Sequence, residues 1–408
     1  MKNDIFIIIT TLLLQSSFTL ANEVTPTFNK KGPEAENKHC EEKGYPVSWK
    51  YASDSCYRVG TFTNFNQLLP TSEISNKPPI WSLTYANQDE VDLALSAKAD
   101  EAIRTLPITS LIIWRNGKIQ KEVYQYGRKD TDLYSSFSMH KTITGLLIDA
   151  AITRNLITSV DDKVTNYLPS LSSTSWSNRT IFQALTMTSG IGQDQKNLYL
   201  PLLFKDADRL SLINDLSRNP KFPAGEKFEY SDIDTFTLGL IAEKVFNKPQ
   251  GEIISNTLWQ SIGAEANAQI LTTKSGQHLL ASNLRARPRD YLRLGLLIQN
   301  NGINHLGEQI ISEQWIASLF GETEKVNTCP MYKSCNTWGV GVGGGWGYSY
   351  QTWLPPIPKT MVAIGKYGQY IFVAKNSNTV IVITSADSPR GLDEKPLLMQ
   401  LFRAAAES

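Results

Sequence analysis

The stretch Ser135-Ser136-Phe137-Ser138-Met139-His140-Lys141 places a hydroxyl and an amine three positions apart, at Ser138 and Lys141. Apolar residues recur directly after it at helical spacing, at Ile143, Leu146 and Leu147. Positions i and i+3 share one face of a helix, so the Ser138 hydroxyl would lie within reach of the Lys141 amine. A buried lysine can lose its charge and take the proton of a nucleophilic serine. The spacing therefore fits a nucleophile and its base, although a helix-capping serine followed by a surface lysine has the same pattern.

The residues before this block predict a helix followed by an antiparallel hairpin. Apolar positions from Glu90 toward Ile103 have a helical period. Asn116-Gly117 then separates two strand-like runs, Ile108–Trp114 and Ile119–Tyr126, and this dipeptide is a strong signal for a two-residue hairpin turn.

The residues after the block have a helical period until about Phe320 and a strand-like pattern beyond it. Short β-type runs separated by turn signals occur at Thr360–Ile364, Tyr370–Val373 and Thr379–Thr384. A final helix is predicted at Lys395–Ala405. Strands from both ends of the chain around a helical middle predict an α+β fold, in which one antiparallel sheet is flanked by helices.

Composition narrows the functional classes. The 408 residues are 41% hydrophobic, and 40 Lys and Arg against 39 Asp and Glu give a net charge of +1. Nucleic-acid binding is disfavoured because there is no basic excess to hold a phosphate backbone. The length suits one large catalytic domain with insertions, or roughly two or three smaller units.

The first 21 residues have the pattern of a secretory signal, with an apolar stretch at Ile5–Leu14 and small residues that end at Ala21. A cleaved signal fits better than an anchor, because this stretch is shorter than the ~20 residues that span a bilayer. We therefore expect cleavage after Ala21 and a periplasmic or secreted protein with no membrane span.

Four cysteines follow the signal in two local pairs, Cys40 with Cys56 and Cys329 with Cys335. An even count in an oxidising compartment favours disulfides, and three connectivities are formally possible. A metal site is disfavoured because the cysteines lack C-x-x-C spacing. Residues 22–75 are polar around the first pair. We therefore expect an N-terminal extension that is held by a disulfide rather than by hydrophobic packing.

Three further stretches carry groups that could act with the serine. Leu185–Ile191 is a loop rich in hydroxyls, and Tyr230-Ser231-Asp232 precedes a predicted helix. Gly365-Lys366-Tyr367-Gly368 puts glycines in a strand, where a ligand or another backbone approaches closely. In the order and intervals of these blocks, the chain resembles the serine β-lactamase and penicillin-binding superfamily, in particular its class C-like branch. Within that branch it is most similar to the group of 6-aminohexanoate-dimer hydrolases and related esterases.

The resemblance runs from about residue 90 to the C-terminus and implies a β-lactamase/transpeptidase-like fold. Its antiparallel sheet would be flanked by helices, with a mostly helical subdomain inserted at about 155–320. The catalytic domain is predicted to span residues 76–408, after the signal and the extension. The oligomeric state is not predicted.

The resemblance also implies the roles of individual residues. Ser138 would be the acylated nucleophile, Lys141 its proton acceptor and Tyr230 the relay that protonates the leaving group. The Ser138 amide and a strand amide at about Lys366 would hold the oxyanion. The strand glycines beside this second donor are Gly365 and Gly368. No metal or other cofactor is implied.

Two departures from the superfamily bear on the substrate. Many members carry Lys or His, then Ser or Thr, then Gly on the edge strand, whereas this chain has Gly365-Lys366-Tyr367-Gly368. Asp232 stands where Asn or Ser is commoner, and its charge would oppose an anionic substrate. We therefore expect an exported serine hydrolase that cleaves a small amide or ester through an acyl-enzyme. The alternatives are a β-lactamase or DD-peptidase proper, and a non-catalytic cell-wall-peptide-binding protein of the same fold.

Two other clusters each allow two interpretations. The charged residues between Arg285 and Arg293 fit an ion-pair network on a helix better than an anion site. Four aromatic residues near the C-terminal strands either wall the substrate cleft or pack in the sheet, and these are Trp346, Tyr348, Tyr350 and Trp353.

Overall fold

The α-helices alternate with short turns through most of the chain. The computed structural model describes residues 44–192, 194–322, 346–388 and 396–407, together with the backbone of 327–328. Within these residues the helices are Arg58–Thr63 (α1), Leu93–Thr105 (α2), His140–Thr153 (α3), Ile181–Leu185 (α4), Gln195–Lys205 (α5), Arg209–Leu216 (α6), Asp232–Phe246 (α7), Gln250–Ile254 (α8), Pro288–Gln299 (α9), Glu313–Leu319 (α10) and Pro396–Glu407 (α11).

The strands are concentrated near the two ends of the domain. In the described residues they are Thr71–Ile74 (β1), Thr84–Tyr85 (β2), Ile108–Arg115 (β3), Lys118–Tyr124 (β4), Tyr134–Ser135 (β5), Ala268–Leu271 (β6), Leu284–Ala286 (β7), Asn327–Thr328 (β8), Gly347–Ser349 (β9), Thr352–Leu354 (β10), Thr360–Gly365 (β11), Gln369–Ala374 (β12) and Thr379–Ser385 (β13).

The large sheet has the strand order β2-β4-β3-β13-β12-β11-β10-β9-β8. Its neighbours are antiparallel except for the short parallel pair of β2 and β4. The predicted hairpin of β3 and β4 is confirmed. Asn116 and Gly117 at its turn have φ angles of 48° and 90°, the left-handed conformations that a tight hairpin turn requires. The α+β fold predicted from the sequence is therefore confirmed.

The central strands of this sheet are buried on both sides because helices cover both of its faces. On β13, Ile381 and Ile383 face α2 and α11, whereas Val380 and Val382 face α9. Gly295 of α9 allows close contact, because a Cβ atom there would lie 2.6 Å from Val380 Cγ1. The sheet is thus a rigid layer at the centre of the domain.

A second sheet has the strand order β1-β6-β7-β5, and two of its strands, β6 and β7, lie in the part of the chain predicted to be mostly helical. Its strands have two to four residues. Such short runs give no period-2 pattern, which explains why they were not predicted. β7 leads into α9, and β5 leads into the turn that carries Ser138.

The N-terminal extension packs against the catalytic domain, contrary to the expectation that only a disulfide holds it. Its residues Tyr45, Val59, Phe62 and Phe65 are buried in one cluster with Phe137 and Tyr367. Aromatic side chains bury a large area each, so a short segment that is polar on average still forms a core. Cys40, Cys329 and Cys335 lie outside the described residues, and the disulfide pairing of Cys56 stays a prediction. Among the described helices, none is both long and apolar enough to cross a bilayer.

Candidate active site

Ser138 lies in a single 3₁₀ turn, Phe137–Met139, that leads directly into α3. Phe137 has a φ of 45°, which is unusual for a residue with a large side chain. The turn leaves Ser138 partly exposed while its neighbours Phe137 and Met139 are buried. The predicted start of a helix at this block is confirmed, and the hydroxyl of Ser138 lies at its N-terminal end.

Lys141 is buried behind the serine and contacts several polar groups. Its Nζ atom donates a hydrogen bond to Ser138 Oγ at 3.3 Å and to the Ala281 carbonyl oxygen at 3.0 Å. It also forms an ion pair with Asp232. Burial lowers the pKa of Lys141, but the Asp232 carboxylate and the Tyr230 phenol raise it, and the pKa lies above its usual value. The structure therefore favours a charged lysine at rest.

Tyr230 is buried next to both groups. The Lys141 Nζ atom lies 5.1 Å from the centre of its ring, and the ring stacks on Trp353 at 5.4 Å between centres. Burial raises the pKa of Tyr230, although hydrogen bonds with the Ser138 and Lys141 side chains act in the opposite direction. The phenol is therefore held in its protonated form, from which it can pass a proton to a leaving group.

Asp232 is the first residue of α7, and Ser231 caps this helix. One carboxylate oxygen contacts Lys141, and the other accepts a hydrogen bond from Gln195 Nε2 at 2.6 Å. The adjacent Lys141 ammonium balances the charge of Asp232, and the expectation that this carboxylate opposes an anionic substrate stays a prediction. Its position at the start of α7 also suits a carboxylate, which the helix dipole stabilises.

The turn between β11 and β12 passes close to the nucleophile. A Cβ atom on Gly365 would lie 2.1 Å from the carbonyl oxygen of Ser136, so only glycine permits this approach. Lys366, Tyr367 and Gly368 form the turn itself, with φ angles of 66° at Tyr367 and 88° at Gly368. Lys366 was predicted on a strand and lies instead one residue past the end of β11. The two left-handed residues reverse the chain at that point.

Four aromatic residues near these strands were expected either to wall the substrate cleft or to pack in the sheet, and both cases occur. Tyr348 and Trp353 both contact the Tyr230 ring and so border the catalytic groups. Tyr350 packs on Trp315 at 4.5 Å between ring centres. Trp346 is buried in the cluster that includes β11, β12 and α11.

The charged cluster of α9 is structural, as its helical spacing suggested. Arg293 pairs with Asp290 at 2.7 Å and with Glu265 at 3.0 Å. Arg289 pairs with Glu122 at 2.7 Å. These ion pairs join α9 to neighbouring segments, and we assign the cluster no part in catalysis.

Sequence reasoning missed Gln195, the Ala281 carbonyl and the aromatic residues of the extension. Gln195 is 37 residues from Asp232, and Ala281 is 140 residues from Lys141. Neither has a motif or a periodic signal that indicates the contact. Among the residues described by the structure, no group of three or more His, Cys, Asp or Glu side chains could hold a metal ion.

Comparisons with known proteins identify the family and the fold. A family model described as beta-lactamase matches residues 98–406. The 6-aminohexanoate-dimer hydrolase of Paenarthrobacter ureafaciens is 22% identical over 361 residues, or 83% of this chain and 87% of that protein. A solved structure from Bacillus anthracis, provisionally assigned as a 6-aminohexanoate-dimer hydrolase, has a TM-score of 0.69 at 21% identity and covers 86% of this chain and 94% of its own. A family VIII carboxylesterase has a TM-score of 0.62 at 17% identity, with coverages of 81% and 100%.

Proposed function

Because this chain belongs to the beta-lactamase family, we propose that it is an exported serine hydrolase that cleaves a small amide or ester through an acyl-enzyme. The observation that carries the proposal is the convergence of Ser138, Lys141 and Tyr230. Ser138 lies on the 3₁₀ turn, Lys141 on α3 and Tyr230 in the loop before α7. Their side chains meet within hydrogen-bonding reach. A protein that only binds peptides needs no such arrangement, which argues against the non-catalytic alternative.

The reaction begins when Ser138 Oγ attacks the carbonyl carbon of the substrate. The coupled pair of Lys141 and Tyr230 must first lose one proton to solvent, and it then accepts the proton of the Ser138 hydroxyl. The two groups titrate together rather than as separate groups. The carbonyl oxygen becomes an oxyanion, and the main-chain N–H groups of Ser138 and of the turn at Lys366 are the donors that we assign to it. Gly365 supports this assignment, because it brings the turn close to the nucleophile.

Tyr230 then protonates the leaving amine or alcohol as the bond to the carbonyl carbon breaks. This step leaves an ester between Ser138 and the acyl group. Water attacks that ester and returns a proton to the same pair, which regenerates the serine. Lys141 stays beside both oxygens throughout and stabilises the negative charge that passes between them.

Two features of the substrate follow from the chain's own residues. The names of its relatives include an amide hydrolase and a carboxylesterase, which supports a scissile amide or ester. The turn Lys366-Tyr367-Gly368 lacks the Ser or Thr followed by Gly with which many superfamily members bind a carboxylate. A neutral acyl group therefore fits this site better than an anionic one. A β-lactamase or DD-peptidase proper is the second candidate, supported by the family match.

The decisive experiment is labelling with a fluorophosphonate probe together with hydrolysis of p-nitrophenyl acetate. We expect the probe to modify Ser138, as identified by peptide mass spectrometry, and Ser138→Ala to lower kcat by about 10⁴-fold or more. Ser172→Ala, which removes an exposed hydroxyl outside the site, serves as the control and keeps full activity. Near wild-type turnover by Ser138→Ala would overturn the assignment.

A further inference from the structure

We propose that Phe62, in the N-terminal extension, is a positioning residue that holds the two oxyanion donors of the site at their working separation. The proposal rests on the proposed function, because it concerns the donors at Ser138 and Lys366. It assigns to the extension a part in catalysis that no motif in it indicates.

The contacts of Phe62 connect the two donor segments directly. Its ring lies 4.8 Å from the ring of Phe137 and 5.1 Å from the ring of Tyr367, measured between centres. Phe137 precedes Ser138, and Tyr367 follows Lys366. The Phe137 and Tyr367 rings also contact each other at 5.2 Å. One side chain of the extension thus packs against the residue next to each donor.

Both of those neighbours have a strained backbone. Phe137 has a φ of 45° and Tyr367 a φ of 66°, and neither is glycine. Such conformations cost free energy and persist only where the surroundings enforce them. The three-ring contact provides that enforcement, because either residue could relax only if its ring moved away from Phe62.

The extension itself is anchored on both sides of the site. Arg58, one turn before Phe62 on α1, donates a hydrogen bond to the Asp387 carbonyl oxygen at 3.1 Å and lies over the Tyr367 ring at 5.4 Å. On the other side, Arg285 donates to the Thr63 carbonyl oxygen at 2.7 Å. α1 is therefore fixed to β7 and to the segment after β13, and Phe62 does not move independently of them.

Phe62 is only 3% exposed, so it acts through its neighbours and not by touching the substrate. A residue with this role stabilises the transition state more than the bound substrate, because the negative charge on the oxygen develops only as the bond forms. Loss of the ring should therefore lower kcat and leave KM nearly unchanged. It should also weaken the binding of phenylboronic acid, whose adduct with a serine is tetrahedral like the transition state.

The test compares Phe62→Leu with Phe402→Leu in the full chain. Phe402 is as deeply buried and stacks on Phe372 at 4.4 Å, so its loss costs similar packing on the α11 side of the sheet. With p-nitrophenyl acetate we expect Phe62→Leu to lower kcat by roughly 10- to 100-fold, less than the ~10²- to 10³-fold loss of a whole oxyanion donor. KM should stay within about twofold, and phenylboronic acid affinity should fall in parallel with kcat. Phe402→Leu should lower the melting temperature with kcat unchanged.

Tyr367→Leu removes the same ring contact from the opposite side and should reproduce the kcat loss, which covers the case in which Phe62→Leu does not fold. Wild-type kcat in either folded variant, or a change in KM alone, would overturn the proposal and leave Phe62 as a core residue. A wild-type protein that neither turns over substrate nor reacts with the fluorophosphonate probe would instead overturn the proposed function. The two failures are therefore distinguishable.

Discussion

The ammonium group of Lys141 pairs with the carboxylate of Asp232, and their side chains are 1% and 3% exposed. A buried pair of this kind holds both groups in their charged forms, because either charge alone would be costly to bury. If the lysine must be neutral to take the Ser138 proton, the pair opposes the first step of the reaction. In the proposed mechanism, Asp232 therefore sets the pH above which hydrolysis begins.

Asp232→Asn should move the acidic limb of the kcat/KM profile to lower pH. Burial lowers the pKa of Lys141, and the Asp232 carboxylate is the stronger of the two groups that raise it, so its removal leaves the effect of burial opposed by Tyr230 alone. Opposite charges at this range shift a pKa by about 1 to 3 units, and we expect the limb to move by at least about 1 unit. The measurement is the pH profile for p-nitrophenyl acetate. Asp290→Asn, which removes a carboxylate paired with Arg293 instead, is the control. A limb that stays in place or moves to higher pH contradicts the prediction.

Lys141→Ala and Tyr230→Phe should be strongly non-additive. The two side chains contact each other, and in the proposed mechanism both act on the Ser138 proton, so removal of one already disables the unit. We expect Lys141→Ala to lower kcat by about 10³-fold or more, and the double variant to be little worse than the poorer single variant. Single-turnover and steady-state rates of the three variants give the coupling energy. A double variant whose loss equals the product of the single losses would show that the groups act independently.

A neutral p-nitrophenyl ester should have a higher kcat/KM than nitrocefin, which carries a carboxylate. The turn Lys366-Tyr367-Gly368 offers a phenol where many superfamily members offer a hydroxyl followed by glycine. Each loss of about 1.4 kcal/mol in transition-state binding lowers the rate tenfold. We expect the ester to be preferred by at least about tenfold. The measurement is both specificity constants in one buffer, and a higher value for nitrocefin would assign the protein to the β-lactamases.

The protein secreted into an oxidising compartment should begin at Asn22 and weigh four hydrogens less than its reduced form. The prediction follows from the signal pattern that ends at Ala21 and from two local cysteine pairs. Intact mass spectrometry with and without reductant measures both quantities, and alkylation before reduction is the control for free thiols. Four alkylated cysteines without reductant, or an intact N-terminus at Met1, would contradict it.

The sequence predicted the parts of the fold that have local signals. Asn116-Gly117 fixes the hairpin of β3 and β4, and the apolar spacing after Lys141 gives α3. The runs at Thr360–Ile364 and Thr379–Thr384 correspond to β11 and β13. The strands of the second sheet were not predicted, because two to four residues show no period and their partners are distant in sequence.

The candidate site also contains some contacts that local sequence patterns predict and others that they do not. Ser138 and Lys141 are predictable because helical geometry brings positions i and i+3 together, and the 3₁₀ turn that continues into α3 does so here. The pairing of Asp232 with Lys141 depends on where α7 lies relative to α3, which no local pattern specifies. The packing of Phe62 on Phe137 and Tyr367 joins segments 75 and 305 residues away. Tertiary packing alone determines such contacts.

The pairing of β3 with β13 has a consequence for how the chain acquires its structure during synthesis. β13, an interior strand of the large sheet, is Thr379–Ser385, whereas its neighbour β3 is Ile108–Arg115. A ribosome must therefore produce almost the whole polypeptide before the middle of the sheet can close. Contacts this distant in sequence slow folding and leave apolar strand surface exposed in the interim. The nascent chain therefore needs protection from aggregation until its last strand arrives.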